Sequence, residues 1–405
     1  MPAKVNPVSM SLRSIPDFRR LLWVGFVAST VRWLEMLAMA LFAYKATDSA
    51  LVVVMLSMLR VLPMGLFGAF LGAAADRFEL RSALIVMVTV SMACTLTLAL
   101  LASLGALAVW HLMVASFVSG VCWAADNPVR RMMIGEAVGI DRMGSAISVD
   151  IGINNASRVL GPMLAGLLFA QHGMSSVLWL GVALYAASLA AALRMSRRGI
   201  SAVAHQASFI TRLREGLAWL RGDRRLIGVF LVTVIFNLFG WPCNSMIPII
   251  GTGTLHLGPQ DVGLLASCEG VGGLIGALLF ARFARPNWYG RIYLGTVVIY
   301  LATMIAFATV GYAPAAAVIL LFNGAAVVGF AVMQATLVYR GAPVEMRARL
   351  LGVLSACIGT GPIGFLYLGF LADALTPPIA TVAMAVQGLL AMLLTRRYWA
   401  KVLQP

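Results

Sequence analysis

Hydrophobic blocks of about 20 residues, separated by short polar segments, recur along the whole chain and constrain its fold more than any other feature. A helix of that length crosses the hydrocarbon core of a lipid bilayer. Only 11% of the 405 residues are charged, whereas a soluble domain carries roughly 25%. The sequence therefore predicts an all-α integral membrane protein, and it excludes a soluble enzyme and a disordered chain.

Hydropathy divides the chain into twelve predicted transmembrane helices. The predicted spans cover residues 20–44, 50–74, 82–104, 107–129, 145–170, 175–194, 226–249, 262–283, 291–311, 314–338, 350–371 and 378–395. The longest hydrophilic stretch follows the sixth span. We therefore predict two six-helix domains, residues 1–194 and 226–405, joined by a cytoplasmic linker of residues 195–225. An amphipathic helix beginning at Phe209 is predicted in this linker, either as a latch between the halves or lying on the membrane surface.

The basic residues lie almost entirely on one side of the predicted membrane. All but four of the 30 lysines and arginines fall on the side of the two termini, the exceptions being Lys45, Arg32, Arg60 and Arg158. This positive-inside bias places both termini in the cytoplasm. It also explains the net charge of +15 without a nucleic-acid partner. No lysine follows a glycine, so a Walker phosphate loop is excluded, and no cofactor or metal site is predicted.

A weak internal repeat supports the division into halves. A charged helix start at Asp141 leads to Gly161 and Pro162, and a second at Glu345 leads to a matching Gly-Pro pair about 200 residues later. Related halves of this kind are typical of transporters in which two bundles rock about a site near the middle of the membrane. The repeat therefore predicts two pseudo-symmetric six-helix bundles.

Ionisable residues inside the predicted spans are candidates for a translocation path. They are Arg32, Glu35, Arg60, Arg158 and Glu269. A charge at the bilayer centre costs at least ~2.5 kcal/mol, so each group needs a partner or an aqueous cavity. One interpretation is a polar cavity in which Glu35 or Glu269 takes up a proton. The other is a closed Arg32–Glu35 pair, three residues apart, that only specifies packing.

Further polar residues recur at helical spacing in three spans. In the fifth span Asn154, Asn155 and Arg158 precede the Gly-Pro pair, which would allow a bend and close packing. Such a face suits the wall of a translocation path, although a hydrogen-bonding stripe inside the bundle would show the same pattern. The seventh and tenth spans contribute the other candidates: Asn237, Trp241, Asn244, Asn323 and Gln334.

The loop between spans two and three carries a known pattern. Gly72 is followed four residues later by Asp76 and Arg77, and then by Arg81. This loop resembles the signature loop of the major facilitator superfamily, except that Glu79 stands where a second glycine is usual. The resemblance implies a gate lock formed by these four residues that holds the outward-open state. The alternative is an ordinary solvated turn.

Other motifs resemble the exporter branch that includes the enterobactin exporter and the macrolide efflux proteins. The run of Gly161, Pro162 and Gly166 is similar to the antiporter motif of drug exporters and implies a further gating element. Asp126 and Arg130, four residues apart, predict a structural salt bridge near the cytoplasmic end of span four. The remaining matches are at residues 44–49, 62–63, 127–130, 214–217 and 343–347.

Together these features predict a monomeric, proton-coupled exporter in a bacterial inner membrane, working by alternating access on an amphiphilic small molecule. The predicted partners are this substrate, protons and the lipid bilayer. The arginine that antiporters of the superfamily often carry in span four is absent, so coupling uses other residues or the protein is a uniporter. Two alternatives share the fold: an importer of a nutrient or metal chelate, and a membrane receptor or assembly component without transport.

Overall fold

The computed structural model describes residues 12–75, 79–196, 209–220 and 222–403. The described residues form helices joined by short turns, without strands. The first half contains α1 Pro16–Thr47, α2 Ala50–Ala75, α3 Leu80–Ser103, α4 Val109–Val138 and α5 Met143–Leu193. The linker contains α6 Phe209–Leu220. The second half contains α7 Arg224–Ile235, α8 Ile247–Gly253, α9 Pro259–Phe283, α10 Tyr289–Thr309, α11 Ala313–Gly341, α12 Arg347–Ile358, α13 Gly361–Ala374, α14 Pro377–Leu394 and α15 Arg396–Trp399.

Helix α5 crosses the membrane twice. Its 51 residues would span about 77 Å at 1.5 Å per residue, more than twice the roughly 30 Å hydrocarbon core. The helix reverses at Gly173, whose φ of 74° is accessible mainly to glycine. Eleven helical segments are long and apolar enough to cross a membrane. Counting α5 twice, the described residues make twelve crossings, as predicted.

Because the number of crossings is even, the start of α1 and the end of α14 lie on the same side of the membrane, which we call the terminal face. We call the other side the opposite face. It carries the turns that follow α1, α3, α8, α10 and α13, and the reversal of α5 at Gly173. Four of the tight turns on the opposite face contain a residue with positive φ, namely Asp48, Gly105, Gly173 and His256. Because these turns are short, consecutive helices lie side by side and antiparallel.

Each half packs mainly on itself. In the first bundle α1 packs along α5, α2 packs on α4, and α3 fills the groove between α4 and α5. In the second bundle α11 packs between α9 and α10, while α14 covers α10. The two bundles meet along two seams, α5 against α9 and α2 against α13. The space between these seams lies in the middle of the protein.

The seventh span, Arg224–Gly253, is not a continuous α-helix. After α7 the backbone forms a π-helical turn at Phe236–Gly240 and a 3-10 turn at Trp241–Met246, before α8 begins. Local π segments of this kind are frequent at functional sites. The irregular region carries three of the predicted candidates, Asn237, Trp241 and Asn244.

The linker helix α6 begins at Phe209, as predicted, and packs on α12 of the second bundle. Within residues 214–220, whose burial the structure describes, Gly216 and Leu220 are buried, and a side-chain carbon on Gly216 would lie 2.9 Å from Val353. Leu217 is exposed. Glu215 also forms a 2.9 Å ion pair with Arg349, although both side chains remain well exposed. Helix α6 is therefore attached to the second bundle, and the close approach at Gly216 depends on the absence of a side chain there.

Candidate substrate cavity and buried charge network

A central cavity of about 310 Å³ lies between the two bundles. Residues from α1, α2, α4 and α5 line one side, and residues from the irregular seventh span, α9, α10, α11 and α13 line the other. Ligand cavities for small molecules typically occupy about 300–1,000 Å³. Predicted path residues in its wall are Arg60, Arg158, Asn237, Trp241, Asn244, Glu269 and Gln334.

An ion pair across the cavity wall joins the two bundles. Nη2 of Arg158 on α5 lies 2.7 Å from Oε1 of Glu269 on α9. The other carboxylate oxygen accepts a 2.6 Å hydrogen bond from Nδ2 of Asn244. The guanidinium of Arg158 also lies over the ring of Trp33, 4.8 Å from its centroid. Both charged groups are thus neutralised while they remain part of the cavity surface.

The rest of the cavity wall is mainly apolar, and aromatic rings contribute to it on both sides. Trp241 and Phe365 meet edge to face, and Phe236 stacks on Phe330 with ring centroids 3.9 Å apart. Tyr300 packs beside Phe236. Broad apolar faces with few polar groups are suited to a ligand that is itself largely apolar.

Two amides at the edge of this wall are held by the same threonine. Nδ2 of Asn237 donates to the backbone carbonyl of Thr233 at 2.8 Å, and Nε2 of Gln334 donates to its hydroxyl at 2.9 Å. Both amide nitrogens are thus hydrogen-bonded within the second bundle. Asn237 and Gln334 therefore present fixed polar groups to the cavity.

The two bundles pack closely against each other near the opposite face. Gly166 and Gly263 face each other so closely that a side-chain carbon on either would lie 2.8 Å from the other's Cα. Nearer the cavity, the hydroxyl of Ser267 donates a 2.8 Å hydrogen bond to the carbonyl of Val159. On the second seam, Gly369 lies against Leu51. The cavity is therefore closed on the opposite face by small-residue packing.

Deeper toward the terminal face, the first bundle contains a sealed charge network. Nε of Arg130 lies 3.0 Å from Asp126, and its Nη1 pairs with Asp150 on α5. The sequence predicted the Asp126–Arg130 pair, and the structure contains it. Asp126 also lies 3.7 Å from Arg32. A side-chain carbon on Gly25 would overlap the Arg130 guanidinium, so the absence of a side chain there makes room for the network.

We expect Arg130→Gln to lower the free energy of unfolding by about 3 kcal/mol, because two buried carboxylates lose their main counter-charge. The arginine side chain is only 3% exposed. The measurement is denaturant unfolding of the purified protein in detergent. Arg131→Gln is the matched control, since that neighbouring arginine is exposed. Equal stability of the two variants would contradict a structural role for the network.

Glu35 is not paired with Arg32, the pair that the sequence allowed. Its Oε1 lies 2.6 Å from the hydroxyl of Thr95 on α3, and its nearest arginine is Arg60 on α2, at 3.7 Å. Arg32 turns instead toward Asp126 and the ring of Trp123. Neighbouring helices offer better-placed partners than the same helix does. Glu35 and Arg32 consequently lie inside the first bundle, outside the lining of the central cavity.

Other predicted path residues also lie apart from the cavity. Nδ2 of Asn154 donates to the hydroxyl of Ser29 on α1, and Asn155 is buried in the same bundle. Nδ2 of Asn323 donates to Thr303 on α10. The polar stripe of α5 is therefore divided between packing and the cavity, which it reaches at Arg158 and Pro162.

The predicted gating residues are distributed over several contacts. Asp76 and Arg77 lie outside the described residues, and Gly72 lies near the end of α2. Nη2 of Arg81 donates a 2.7 Å hydrogen bond to the carbonyl of Leu193, at the C-terminal end of α5. A cation is favourable at that end of a helix. Gly161 packs against α1, with Trp33 and the carbonyl of Thr30 as its nearest neighbours.

Sequence reasoning missed several residues of these sites. Trp33 and Trp123 line the cavity. Their rings cover Arg158 and Arg32, respectively. In the sequence, both tryptophans look like ordinary apolar residues of a span. Thr95 was missed because a lone threonine in a membrane helix usually bonds to its own backbone.

Comparison with known proteins agrees with this architecture. A family model described as transmembrane secretion effector matches residues 11–403. The chain is 25% identical over 284 residues to macrolide efflux protein A of Streptococcus pyogenes, covering 69% of each protein. It is 26% identical over 402 residues to the multidrug efflux pump Tap of Mycolicibacterium fortuitum, covering 93% of this chain and 95% of the pump. In fold it is similar to a POT family transporter solved with 5-aminolevulinic acid, with a TM-score of 0.76 at 13% identity over 97% of this chain and all of the other.

Proposed function

Because the chain belongs to the transmembrane secretion effector family of major facilitator superfamily transporters, we propose that it exports an amphiphilic small molecule. The observation that carries this proposal is the largely apolar cavity between the two bundles, with several aromatic rings and one neutralised ion pair in its wall. Such a surface suits a drug, a siderophore or another secondary metabolite with a large apolar body and a few polar groups. Efflux by the macrolide and multidrug relatives supports the direction of transport.

The two seams support alternating access. Small-residue contacts close the cavity on the opposite face in this structure. Rocking of the bundles about the cavity would separate Gly166 from Gly263 and open that face instead. The bias of basic residues toward the terminal face supports a cytoplasmic location for both termini in a bacterial inner membrane. The opposite face is then the outside of the cell.

The driving force in this proposal is the proton gradient. The sequence contains no Walker phosphate loop, which is consistent with an ion gradient as the driving force. Carboxylates buried within the spans are suited to bind and release protons during the cycle. Protonation from outside would favour the state closed on the opposite face, in which the cavity reloads with substrate.

The test is a survey followed by vesicle transport. Cells with and without the gene are compared for sensitivity to macrolides and other amphiphilic compounds and for secreted metabolites. We expect one class of compound to accumulate several-fold less in cells that carry the gene. In inside-out vesicles the same compound should accumulate when the lumen is acidic, and a protonophore should abolish this. Accumulation restricted to right-side-out vesicles would contradict export, and insensitivity to the protonophore would contradict proton coupling.

A further inference from the structure

A second polar site lies within the first bundle, separate from the substrate cavity. Its centre is the carboxylate of Glu35, which is 3% exposed. The groups that face it come from every surrounding helix: Arg60 on α2, Cys94 and Thr95 on α3, Cys122 on α4, Tyr185 on α5 and Arg32 on α1 itself. No carboxylate of the central cavity reaches this position. Among the residues that the structure describes, Glu269 is the only acidic side chain lining that cavity.

Two small internal spaces connect the site to the buried charge network. One, of about 10 Å³, is lined by Glu35, Met39 and Thr95. The other, of about 30 Å³, is lined by Arg32 and Asp126 nearer the terminal face. They share Ser91, Ser119 and Tyr185 as walls. A space of about 10–15 Å³ is enough for one water molecule when polar partners are present. Hydroxyls and a few waters can thus link Asp126 to Glu35 without passing through the substrate cavity.

The hydrogen bonds at Glu35 fit both protonation states. The hydroxyl of Thr95 lies 2.6 Å from Oε1 of Glu35 and 3.0 Å from the carbonyl oxygen of Ser91. A hydroxyl has one hydrogen, so it can donate to only one of them at a time. When the hydroxyl donates to Glu35, the carboxylate is charged. When it donates to Ser91, the short contact requires a proton on Glu35, which then donates to the threonine oxygen.

Arg60 connects this site to the substrate cavity. Its Nη1 donates a 2.9 Å hydrogen bond to the carbonyl of Arg32, and its Nη2 lies 3.6 Å from the sulfur of Met39. The distance of 3.7 Å to Glu35 is therefore a charge attraction rather than a hydrogen bond. Arg60 also forms part of the cavity wall. One guanidinium thus borders both the carboxylate and the space where the substrate binds.

We infer that Glu35 is the proton-binding site of the transport cycle and that Arg60 conveys its charge state to the substrate cavity. A protonated water that enters from outside the cell gives its proton to Oε1 of Glu35. One O–H bond of that protonated water breaks as the O–H bond to the carboxylate forms. The carboxyl releases the same proton to water after the bundles have rocked. While Glu35 is neutral, Arg60 loses the carboxylate with which it pairs in this structure, so its positive charge at the cavity wall is no longer balanced by Glu35. The inference depends on the proton coupling proposed above.

The experiment measures conformation directly and needs no substrate. Nitroxide-bearing amino acids are incorporated at Leu104 and Tyr312, on exposed turns of the two bundles at the opposite face, in full-length protein that keeps its five cysteines, because Cys94 and Cys122 face Glu35. The distance between the two nitroxides is measured in liposomes from about pH 5 to pH 9. We expect a short distance at acidic pH and a longer one at alkaline pH. Glu35→Gln, which imitates the protonated form, should keep the short distance at every pH.

Three further variants decide the outcome. Glu136→Gln removes an exposed carboxylate of the same bundle and should behave as the unsubstituted protein. Thr95→Val removes a hydrogen bond that is stronger to the charged carboxylate, so the midpoint of the distance change should move to higher pH. Thr97→Val, two residues away on the exposed side of α3, should not move it. A normal pH response in Glu35→Gln, or in Thr95→Val if the first variant does not fold, overturns the inference but leaves the proposed export intact. No response in the parent protein would overturn the proton coupling itself.

Discussion

Exchanging the charges of Arg158 and Glu269 should restore transport that either single reversal abolishes. The pair joins the two bundles at 2.7 Å, with its side chains 16% and 7% exposed. Arg158→Glu alone would place two carboxylates in contact, and Glu269→Arg alone would place two guanidiniums in contact. Loss of a partner in a largely buried pair costs about 3 kcal/mol, and this energy corresponds to a factor of roughly 100 in transport rate.

The double variant, Arg158→Glu with Glu269→Arg, should recover to within about tenfold of the parent rate. Asn244 can still bond to the new arginine, because an amide offers an acceptor as well as donors. Full recovery is not expected, since the contact of Arg158 with the ring of Trp33 is lost. The readouts are vesicle uptake of the exported compound and the distance between spin labels at positions 104 and 312. If the double variant transported no faster than the single variants, Arg158 and Glu269 would not act in transport through their ion pair.

The number and length of the crossings were predictable because the bilayer fixes them. A helix has to cover the hydrocarbon core, so hydropathy alone located each span to within a few residues for most of the chain. The fourth span is the exception, since α4 continues to Val138, beyond its predicted end at residue 129. Its last turns include the charged residues Arg130, Arg131 and Glu136, and hydropathy cannot distinguish a helix that leaves the membrane from a loop. The pair of Asp126 and Arg130 in these turns anchors the extension.

The partners of the buried charges were less predictable than the charges themselves. Local spacing suggested Arg32 with Glu35, yet each has a partner on another helix. Which helix faces which depends on close packing at small residues, and that is not visible in a periodic pattern. Gly120, for example, brings α4 against the backbone of Arg60, and this contact sets the position of the guanidinium beside Glu35. Buried ion pairs in such a bundle follow from helix rotation rather than from sequence distance.

Replacing Gly263 by leucine should prevent the opposite face from closing. A side-chain carbon at this position would lie 2.6 Å from the carbonyl oxygen of Pro162 and 2.8 Å from the Cα of Gly166. These are backbone atoms of the other bundle, so they cannot swing aside as a flexible side chain could. Overpacking of this kind costs about 2 kcal/mol, which shifts the balance between closed and open states by a factor of about 30.

The expected result is a long distance between labels at positions 104 and 312 at every pH, together with loss of vesicle uptake. Each bundle should still fold, because the clash lies between the bundles and not within one. Gly295→Leu is the matched control, since a side-chain carbon at that position meets no other atom within 4 Å. It should leave both the label distance and the uptake unchanged. If Gly263→Leu kept the short distance and normal uptake, the seam between α5 and α9 could not be the contact that closes the cavity on the opposite face.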